Sequence, residues 1–391
     1  MGMERFLALC CEVYQYMAGL YALGAAAGIQ SSIFSERIHI LGSTQRKNVM
    51  RILVTGADGF IGQHLVRALL DEGHQVRGMY NVEKPLYFFS KTEIEWRKAD
   101  LRDAATLVKI AENIDVVYHL AAIPRNDMRK SWDDYKVVNV NGTASLLEES
   151  NKAGVRRFLY VSSVEAAGYG DGIHPRVETD PPRPDNNYGK SKLEAEGLVL
   201  GKKWNMECVV LRLPMIYGPG TFLIVPKLFG FVKKRFYPLI GKGQGLMEFC
   251  YVGNAVNALV LASRHEKARG ELFYISDKRS YLIKDVIACV AESMKVKVRF
   301  IHIPVLVAMC VAVCFEAVAK LFPFPPLVSP YSRKPFFTRE TVRWTTKNWN
   351  TVSTEKIRTM LGYAPTVDIA EGCKRTAEWL KEHGDQQHLQ A

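Results

Sequence analysis

Tyr188 and Lys192 stand four residues apart in the chain. On a helix, residues with this spacing share a face, so we expect the Lys192 ammonium beside the Tyr188 phenol. A nearby positive charge favours the phenolate and lowers the tyrosine pKa below its ordinary value of about 10. Reaching a pKa of about 7 takes roughly 4 kcal/mol of differential stabilisation. The pair therefore predicts a general base for neutral pH, although most such pairs are solvated helix surface.

A glycine-rich turn lies between an apolar run and a helical pattern early in the chain. Residues 51–54 form a run that is apolar after Arg51 and partly β-branched, which predicts a buried strand, and residues 63–72 predict an amphipathic helix. The turn between them reads Thr-Gly-Ala-Asp-Gly-Phe-Ile-Gly. Its glycines would supply a tight turn, close approach of the backbone to a pyrophosphate, and helix–strand packing, in the order Gly56, Gly59 and Gly62. This context predicts a dinucleotide site, with a structural glycine turn as the alternative.

The next predicted strand, residues 75–80, bears on which dinucleotide is bound. An Asp or Glu at the end of this strand usually binds the ribose 2′-hydroxyl of NAD. Here Tyr80 and Asn81 occupy that place, with Glu83 and Lys84 just beyond. There is neither a clear acid nor a clear arginine, so the sequence leaves both NAD and NADP open.

Alternating strand and helix patterns continue through the first half of the chain and predict a doubly wound parallel sheet. Residues 115–119 predict a strand that runs into Leu120-Ala121-Ala122, and residues 132–153 predict a long helix. Residues 157–161 predict another strand, ending at Ser162-Ser163. A serine just past the carboxyl end of such a strand faces the crevice where ligands bind, so Ser163 is a candidate for orienting a substrate oxygen.

These pieces resemble, in order, the motifs of the extended short-chain dehydrogenase/reductase superfamily, from Arg51 to Gly384. The matching segments are residues 55–62, 139–143, 162–163, 178–184, 188–192 and 211–220. The resemblance implies an α/β fold of Rossmann type, with a doubly wound parallel sheet and a smaller, discontinuous α/β substrate-binding lobe. It also implies an enzyme that uses NAD or NADP.

The resemblance implies roles for individual residues. Tyr188 would transfer a proton, Lys192 would lower the Tyr188 pKa and hold the nicotinamide ribose, and Ser163 would polarise the substrate oxygen. Asn139 would support a water-mediated proton relay. Asp100 would contact the adenine, although a helix N-cap before Leu101 is an equal alternative. The implied cofactor-binding set is Gly56, Asp58, Gly59, Phe60, Ile61, Gly62, Asp100, Leu101, Leu120, Ala121, Ala122, Tyr188, Lys192 and Pro214.

Two short runs favour one branch of that superfamily. Residues 162–168 and 251–256 resemble the 3β-hydroxysteroid dehydrogenase branch, which favours oxidation of a secondary alcohol on a steroid-, sterol- or other lipid-like skeleton. A nucleotide-sugar epimerase or dehydratase with tightly held NAD is the alternative. The Thr-Asp-Glu triplet of many dehydratases is absent, and only Glu165 stands in its place. A third hypothesis is a protein that binds dinucleotide without turnover.

Composition fits a large globular enzyme. The 391 residues are 48% hydrophobic and 24% charged, which is ample for a sizeable core. We expect an extension over residues 1–49, a catalytic domain over 50–384 and a tail over 385–391. Within the domain, the nucleotide-binding core is mainly 50–215 and the substrate lobe mainly 216–384. The extension is either a membrane anchor or the product of a start site placed too far upstream, because Met50 directly precedes the first strand.

Net charge and cysteine content indicate which partners, metals and cellular compartment to expect. The net charge of +12 suggests an anionic partner, and a basic cluster occurs at Lys227, Lys233, Lys234 and Arg235. No recognition motif for nucleic acid accompanies that cluster, so we expect a solvated face and no nucleic-acid partner. The eight cysteines form no Cys-x-x-Cys pair and no metal-ligand spacing, which indicates a reducing, cytoplasmic location and no metal. Family resemblance implies a homodimer joined through two long helices.

An apolar stretch over residues 304–322 has two main interpretations. It contains only Glu316 and Lys320 as charged residues, and as a helix it would be about 28 Å long. That length is close to the bilayer core of about 30 Å, but the catalytic lobe must continue beyond the stretch. The sequence predicts either a buried helix of the lobe or a helix that contacts a membrane surface, and a continuous span is least favoured.

Overall fold

The computed structural model of this chain describes residues 49–82, 84–125, 130–201, 204–221, 228, 232, 235–321, 338–346 and 351–383. The predicted extension, apart from Val49, and the predicted tail lie outside the described residues. Glu83 and three lysines of the basic cluster, Lys227, Lys233 and Lys234, also lie outside them. The described part comprises the glycine turn, the Tyr188 segment and most of the substrate lobe.

The strands divide into one large sheet and three small ones. They are β1 Arg51–Thr55, β2 Gln75–Tyr80, β3 Glu95–Lys98, β4 Val116–His119, β5 Arg157–Ser163, β6 Glu207–Leu213, β7 Met215–Tyr217, β8 Phe236–Ile240, β9 Leu246–Met247, β10 Phe249–Tyr251, β11 Leu272–Tyr274, β12 Tyr281–Leu282 and β13 Arg299–Ile303. Seven strands form a parallel sheet in the order β11-β6-β5-β4-β1-β2-β3. The order reverses between β1 and β4, and such a switch point opens a crevice at the carboxyl ends of the strands.

The helices alternate with these strands. They are α1 Phe60–Asp71, α2 Trp132–Tyr135, α3 Gly142–Lys152, α4 Asn187–Gly201, α5 Val252–Arg264, α6 Ile283–Ser293, α7 Val305–Leu321, α8 Arg339–Thr346, α9 Glu355–Leu361 and α10 Ile369–His383. A π-helical segment, Lys136–Asn141, joins α2 to α3, so the predicted long helix is continuous but locally widened.

Helices cover both faces of the large sheet. On one face, Leu65 and Leu69 of α1 and Leu259 of α5 belong to a single hydrophobic cluster with the strands. On the other face, Leu146 of α3 and Val199 of α4 belong to a second cluster. A sheet buried on both faces explains the nearly unbroken apolar runs of its strands. The predicted doubly wound α/β fold is confirmed.

Helix α1 begins earlier than the sequence pattern predicts. We expected it over residues 63–72, but it begins at Phe60, directly after the N-cap residue Gly59. The apolar periodicity starts only where side chains face the sheet, so it misses the first turn. That first turn lies over the glycine turn, at the edge where a ligand phosphate would bind.

The substrate lobe is built from the three small sheets and α6, α7, α8 and α10. Strands β7 and β10 pair in parallel, as do β8 and β13, whereas β9 and β12 are antiparallel. The chain leaves the lobe after β10, because α5 and β11 pack with the large sheet, and then returns to it. The lobe is therefore discontinuous, as expected.

Helix α7 covers the apolar stretch and has two unlike faces. Ala308 and Ala312 are buried against Ile240 and Val342. Leu306, by contrast, is 75% exposed, and several further apolar side chains of α7 are also exposed. Among the described residues, no helix combines the length and apolarity needed to cross a membrane.

Candidate active site

The glycine turn has the geometry that a bound pyrophosphate requires. Gly56 has φ +67, and a Cβ on Gly62 would overlap the carbonyl oxygen of Gly56, so α1 packs directly on the turn. Gly59 caps α1 without a side-chain hydrogen bond, which leaves the first amide N–H groups of the helix for a ligand. These amides and the positive end of the helix dipole suit a phosphate anion.

Asp58 in the same turn carries a polar atom that the protein does not satisfy. Its side chain is buried, and among the described residues its Oδ2 atom has no hydrogen-bond partner. Burial raises the pKa of this carboxyl group, and Lys84 opposes that shift. A buried acceptor without a protein donor fits a ligand hydroxyl. The turn as a whole therefore fits a dinucleotide.

The loop after β4 is held beside the turn by Thr55. The Thr55 hydroxyl oxygen accepts hydrogen bonds from the backbone N–H groups of Leu120 and Ala121, both at 3.1 Å, and lies 2.8 Å from His119 Nδ1. A Cβ on Gly56 would lie 3.2 Å from the Cα of Ala121. Leu120 and Ala121 therefore line the crevice at the turn, and the chain passes on through Ala122.

Asp100 and Leu101 occupy different environments at the far edge of the sheet. Asp100 accepts hydrogen bonds from Arg102, including one from Nε at 2.9 Å, and this contact lowers the pKa of the Asp100 carboxyl group. The N-cap alternative for Asp100 is wrong, because Asp103 caps the short 3₁₀ turn that follows. Leu101 is buried against Gly142, where a Cβ would lie 2.6 Å from the Leu101 Cβ. The adenine contact itself stays a prediction.

Ser163 and Tyr188 meet at the carboxyl end of the sheet. Ser163 is the last residue of β5 and is buried, whereas Tyr188 lies in the first turn of α4 and is partly exposed. The Ser163 hydroxyl is close enough to lower the pKa of the Tyr188 phenol, against the larger opposite effect of burial. Pro214 lies at the same edge, between β6 and β7.

Lys192 lies one helical turn beyond Tyr188 but has other partners. Its Nζ atom donates to the carbonyl oxygen of Val161 at 2.8 Å and lies 4.6 Å from the centroid of the Tyr160 ring. The side chain is 3% exposed. Burial lowers the Lys192 pKa to about 7, and Glu196 opposes this shift. Lys192 is therefore poised between its charged and neutral forms near neutral pH.

The prediction that Lys192 lowers the Tyr188 pKa is wrong for the protein alone. Burial raises the pKa of Tyr188 above its ordinary value, the Glu165 carboxylate raises it further, and the Ser163 hydrogen bond acts in the opposite direction. The physical reason is that the phenol is more strongly affected by loss of water and by a carboxylate than by an ammonium engaged elsewhere. The phenolate therefore needs positive charge from outside the protein.

Asn139 holds the loop after β4 against α4. It lies in the π-helical segment and is 1% exposed. Its Oδ1 accepts from the Ile123 N–H at 2.8 Å, and its Nδ2 donates to the Ile123 carbonyl and to the Ser191 hydroxyl at 2.9 Å. These contacts fix the loop beside the Tyr188 helix, and the relay role of Asn139 stays a prediction.

Two charged groups lie near the catalytic candidates: Glu165, which the sequence analysis names in place of the dehydratase triplet, and Glu196, which sequence reasoning missed. Glu165 accepts from Arg125 Nη1 at 2.9 Å and from Asn186 Nδ2 at 2.7 Å, close enough to affect Tyr188. Glu196 lies one turn after Lys192 and pairs with Arg212. The spacing of Lys192 and Glu196 was visible in the sequence, but the arginine partners come from distant strands and loops.

Comparison with known proteins agrees with this geometry. The model of the NAD dependent epimerase/dehydratase family matches residues 52–276. The Arabidopsis thaliana protein named 3beta-hydroxysteroid-dehydrogenase/decarboxylase isoform 1 is 29% identical over 363 residues, covering 83% of this chain and 78% of that protein. A Mycobacterium tuberculosis protein named 3 beta-hydroxysteroid dehydrogenase/Delta 5-->4-isomerase is 33% identical over 241 residues, covering 58% of this chain and 65% of that protein.

A solved structure supports the fold. MoeE5 in complex with UDP-glucuronic acid and NAD has a TM-score of 0.66 and 25% identity, and it covers 85% of this chain and 99% of that chain. The matched region of this chain contains the glycine turn, Ser163, Tyr188 and Lys192. The chain therefore belongs to the NAD dependent epimerase/dehydratase family, and it is an NAD(P)-dependent enzyme.

Proposed function

We propose that this protein is an NAD-dependent dehydrogenase that interconverts a secondary alcohol and a ketone on a steroid-, sterol- or other lipid-like skeleton. The observation that carries the proposal is that Ser163 and Tyr188 meet at the carboxyl end of the sheet, beside a turn that fits a dinucleotide. The substrate class is supported by the two relatives named as hydroxysteroid dehydrogenases.

Each of the three side chains has a defined task in this reaction. The Ser163 hydroxyl holds the substrate oxygen in line with Tyr188. The Tyr188 oxygen takes the proton from the alcohol during oxidation and returns it during reduction. Lys192, fixed by Val161 and Tyr160, would hold the nicotinamide ribose with its remaining N–H groups. When bound, oxidised nicotinamide supplies the hydride acceptor and a positive charge.

The ionisation of Tyr188 follows from these surroundings. Because burial and Glu165 raise its pKa, the phenol stays protonated in the protein alone at neutral pH. A phenolate forms only when added positive charge in the crevice outweighs those two effects. Proton abstraction is thereby coupled to occupancy of the crevice, which protects the site from reacting before the partners are assembled.

We propose NAD as the cofactor. The end of β2 lacks the acidic residue that usually hydrogen-bonds the ribose 2′-hydroxyl. Tyr80 occupies that position, and its ring packs edge-on against Trp96. Asp58 offers a buried carboxylate oxygen nearby in the turn instead. A carboxylate favours a free hydroxyl over a 2′-phosphate, because two negative charges repel in a low-dielectric site.

The test is a substrate panel followed by cofactor absorbance. The full chain is incubated with NAD or NADP and with 3β-hydroxysteroids, sterols or long-chain secondary alcohols. The proposal expects reduced cofactor to form with at least one of these alcohols and with NAD in preference. If no alcohol yields reduced cofactor and UDP-glucose or UDP-glucuronic acid is turned over, the proposal is rejected.

A nucleotide-sugar epimerase or dehydratase with tightly held NAD is the second candidate. It is supported by the likeness to MoeE5, whose structure holds UDP-glucuronic acid and NAD. Such an enzyme would release no net reduced cofactor, so sugar interconversion without a change in absorbance separates the two candidates. The absence of the dehydratase triplet around Glu165 weighs against a dehydratase.

We further propose that α7 contacts a membrane surface from which an apolar substrate would enter. The support is its exposed apolar face, on which Leu306 is 75% and Val313 46% exposed.

Leu306→Gln with Val313→Gln should reduce co-sedimentation with phosphatidylserine-containing vesicles. Ile173→Gln, at a loop residue that is 77% exposed, is the matched control. Equal binding by all three proteins would contradict this contact. Dimerisation stays a prediction.

A further inference from the structure

A buried ion pair lies behind Lys192 at the carboxyl end of β5 and β6. Glu196 Oε1 accepts from Arg212 Nε at 2.9 Å, and Oε2 accepts from Arg212 Nη2 at 2.6 Å. Both side chains are 4% exposed. Ser162 donates its hydroxyl to Glu196 Oε1 at 2.5 Å, and Tyr274 accepts from Arg212 Nη1 at 2.9 Å. The carboxylate is thus fixed in one position by three donors.

Lys192 has no carboxylate bonded to its ammonium among the described contacts. It donates to the neutral Val161 carbonyl and lies over the Tyr160 ring. A buried ammonium held only by neutral groups favours the loss of its proton. Glu196, one helical turn away on α4, is the group that counteracts this loss. The titratable groups that influence or contact Lys192 among the described residues are Glu196 on its own helix, Tyr160 on β5 and His119 on β4.

We infer that Glu196 is a positioning residue that keeps Lys192 in its charged form, and that Arg212 and Ser162 fix the Glu196 carboxylate in place for this purpose. The inference deepens the proposed function, since it rests on Lys192 acting in the crevice.

The position of the Glu196 carboxylate depends on its partners. The bidentate guanidinium and the serine hydroxyl satisfy both of its oxygens in this buried place. Among the described contacts, Arg212 bonds Glu196 and Tyr274, whereas Lys192 bonds Val161. The Glu196 carboxylate, one helical turn from Lys192, opposes the loss of the Lys192 proton.

A second Arg–Glu pair at the other end of the same two strands provides a matched control. Arg157 of β5 donates from Nε to Glu207 Oε2 of β6 at 2.7 Å, and Arg157 is 1% exposed. This pair lies at the amino ends of the strands, the opposite end from Lys192. Loss of either pair removes an ion pair that involves a buried arginine of the sheet, but only the Glu196–Arg212 pair includes a residue one helical turn from Lys192.

The experiment neutralises each pair in the full chain. One variant carries Glu196→Gln and Arg212→Gln, which leaves no isolated buried charge, and the control carries Arg157→Gln and Glu207→Gln. Lysine side-chain nitrogens are labelled with ¹⁵N, and the Lys192 signal is assigned by its loss in Lys192→Met. The titration midpoint of Lys192 is then read without substrate, so the result does not depend on the proposed reaction.

We expect the Lys192 midpoint to fall by about one pH unit or more in the first variant and to stay unchanged in the control. Because Lys192 is charged below its pKa, the decline of kcat/KM with rising pH should begin at a correspondingly lower pH. Equal midpoints in the two variants would overturn the inference and leave the pair a structural contact. Should the first variant not fold, Glu196→Asp, which retracts the charge by one methylene, should give a smaller shift of the same sign, and no shift overturns the inference.

Discussion

An Arg–Glu ion pair lies at each end of strands β5 and β6, and the surroundings of the two pairs differ. At the carboxyl end, Glu196 and Arg212 adjoin Lys192 and the Ser162-Ser163 strand end. At the amino end, Arg157 pairs with Glu207 far from the crevice. Position along the strand, rather than the chemistry of the pair, distinguishes a contact that tunes a reaction from one that supports the fold.

The partners of each arginine make this difference concrete. Arg157 Nη1 donates to the backbone carbonyls of Ala262 and His265 at 3.0 and 3.1 Å, which ties the end of α5 to the sheet. Arg212 Nη1 instead donates to the Tyr274 side chain at 2.9 Å, and its remaining contacts fix Glu196. Arg157 therefore binds backbone carbonyls, whereas Arg212 holds the side chains of Glu196 and Tyr274.

The largest expected effect lies at the carboxyl end and leaves stability intact. Tyr188→Phe removes the proton carrier, so activity should fall by about 10³-fold, a typical value for general acid–base catalysis. The ring still fills its place, and the free energy of unfolding should change little. Steady-state rates, NAD binding and denaturant unfolding check this on one preparation. Wild-type activity in Tyr188→Phe would show that the crevice is not the reaction site.

The amino end should give the opposite result. Arg157→Met leaves Glu207 and two backbone carbonyls without their donor, so the free energy of unfolding should drop by about 3 kcal/mol. The activity of the folded protein should not change, because no partner of Arg157 reaches the crevice. Urea unfolding and kcat/KM of the purified variant provide the check. A large fall in kcat/KM without loss of stability would erase the distinction between the two ends.

Features formed by residues close together in the chain could be predicted from the sequence. The glycine turn and the Tyr188–Lys192 spacing follow from residues a few positions apart, and the structure places them where the pattern indicates. The Tyr188 pKa could not be predicted in the same way. Its direction depends first on burial of the phenol and then on Glu165, and both follow from how the neighbouring strand and turn pack around it.

Ion pairs between elements were equally inaccessible to sequence reasoning. Arg157 and Glu207 are 50 residues apart, and Glu196 and Arg212 are 16 apart on a helix and a strand. Many charged residues occur at such separations, and only the strand register or the packing of a helix on the sheet selects the true partner. The early start of α1 has a different cause, because the apolar periodicity marks only the turns that face the sheet and the first turn follows Gly59.

The glycine turn extends the comparison to a second position at the carboxyl edge. Gly62→Ala would place a methyl group on the Gly56 carbonyl oxygen, so it should cost about 1–3 kcal/mol of stability and also weaken NAD binding. Gly197→Ala is the matched control, because Gly197 lies inside α4 with nothing within 4 Å of the new Cβ. The control should be neutral or stabilising by up to about 1 kcal/mol. Similar losses of NAD affinity in both variants, measured by calorimetry, would contradict a specific role of the turn.

The smallest effect concerns pH and His119, at the carboxyl end of β4. Burial lowers the His119 pKa to about 3, and Lys192 contributes in the same direction. Because the folded protein favours the neutral ring, His119 contributes stability that is complete above the unfolded pKa of about 6.5 and is lost as pH falls towards 3. The unfolding free-energy difference between wild type and His119→Gln should therefore shrink by about 1.4 kcal/mol per unit below pH 6.5. A difference that stays constant from pH 7 to pH 5 would show that the ring between Thr55 and Thr143 does not titrate as its burial requires.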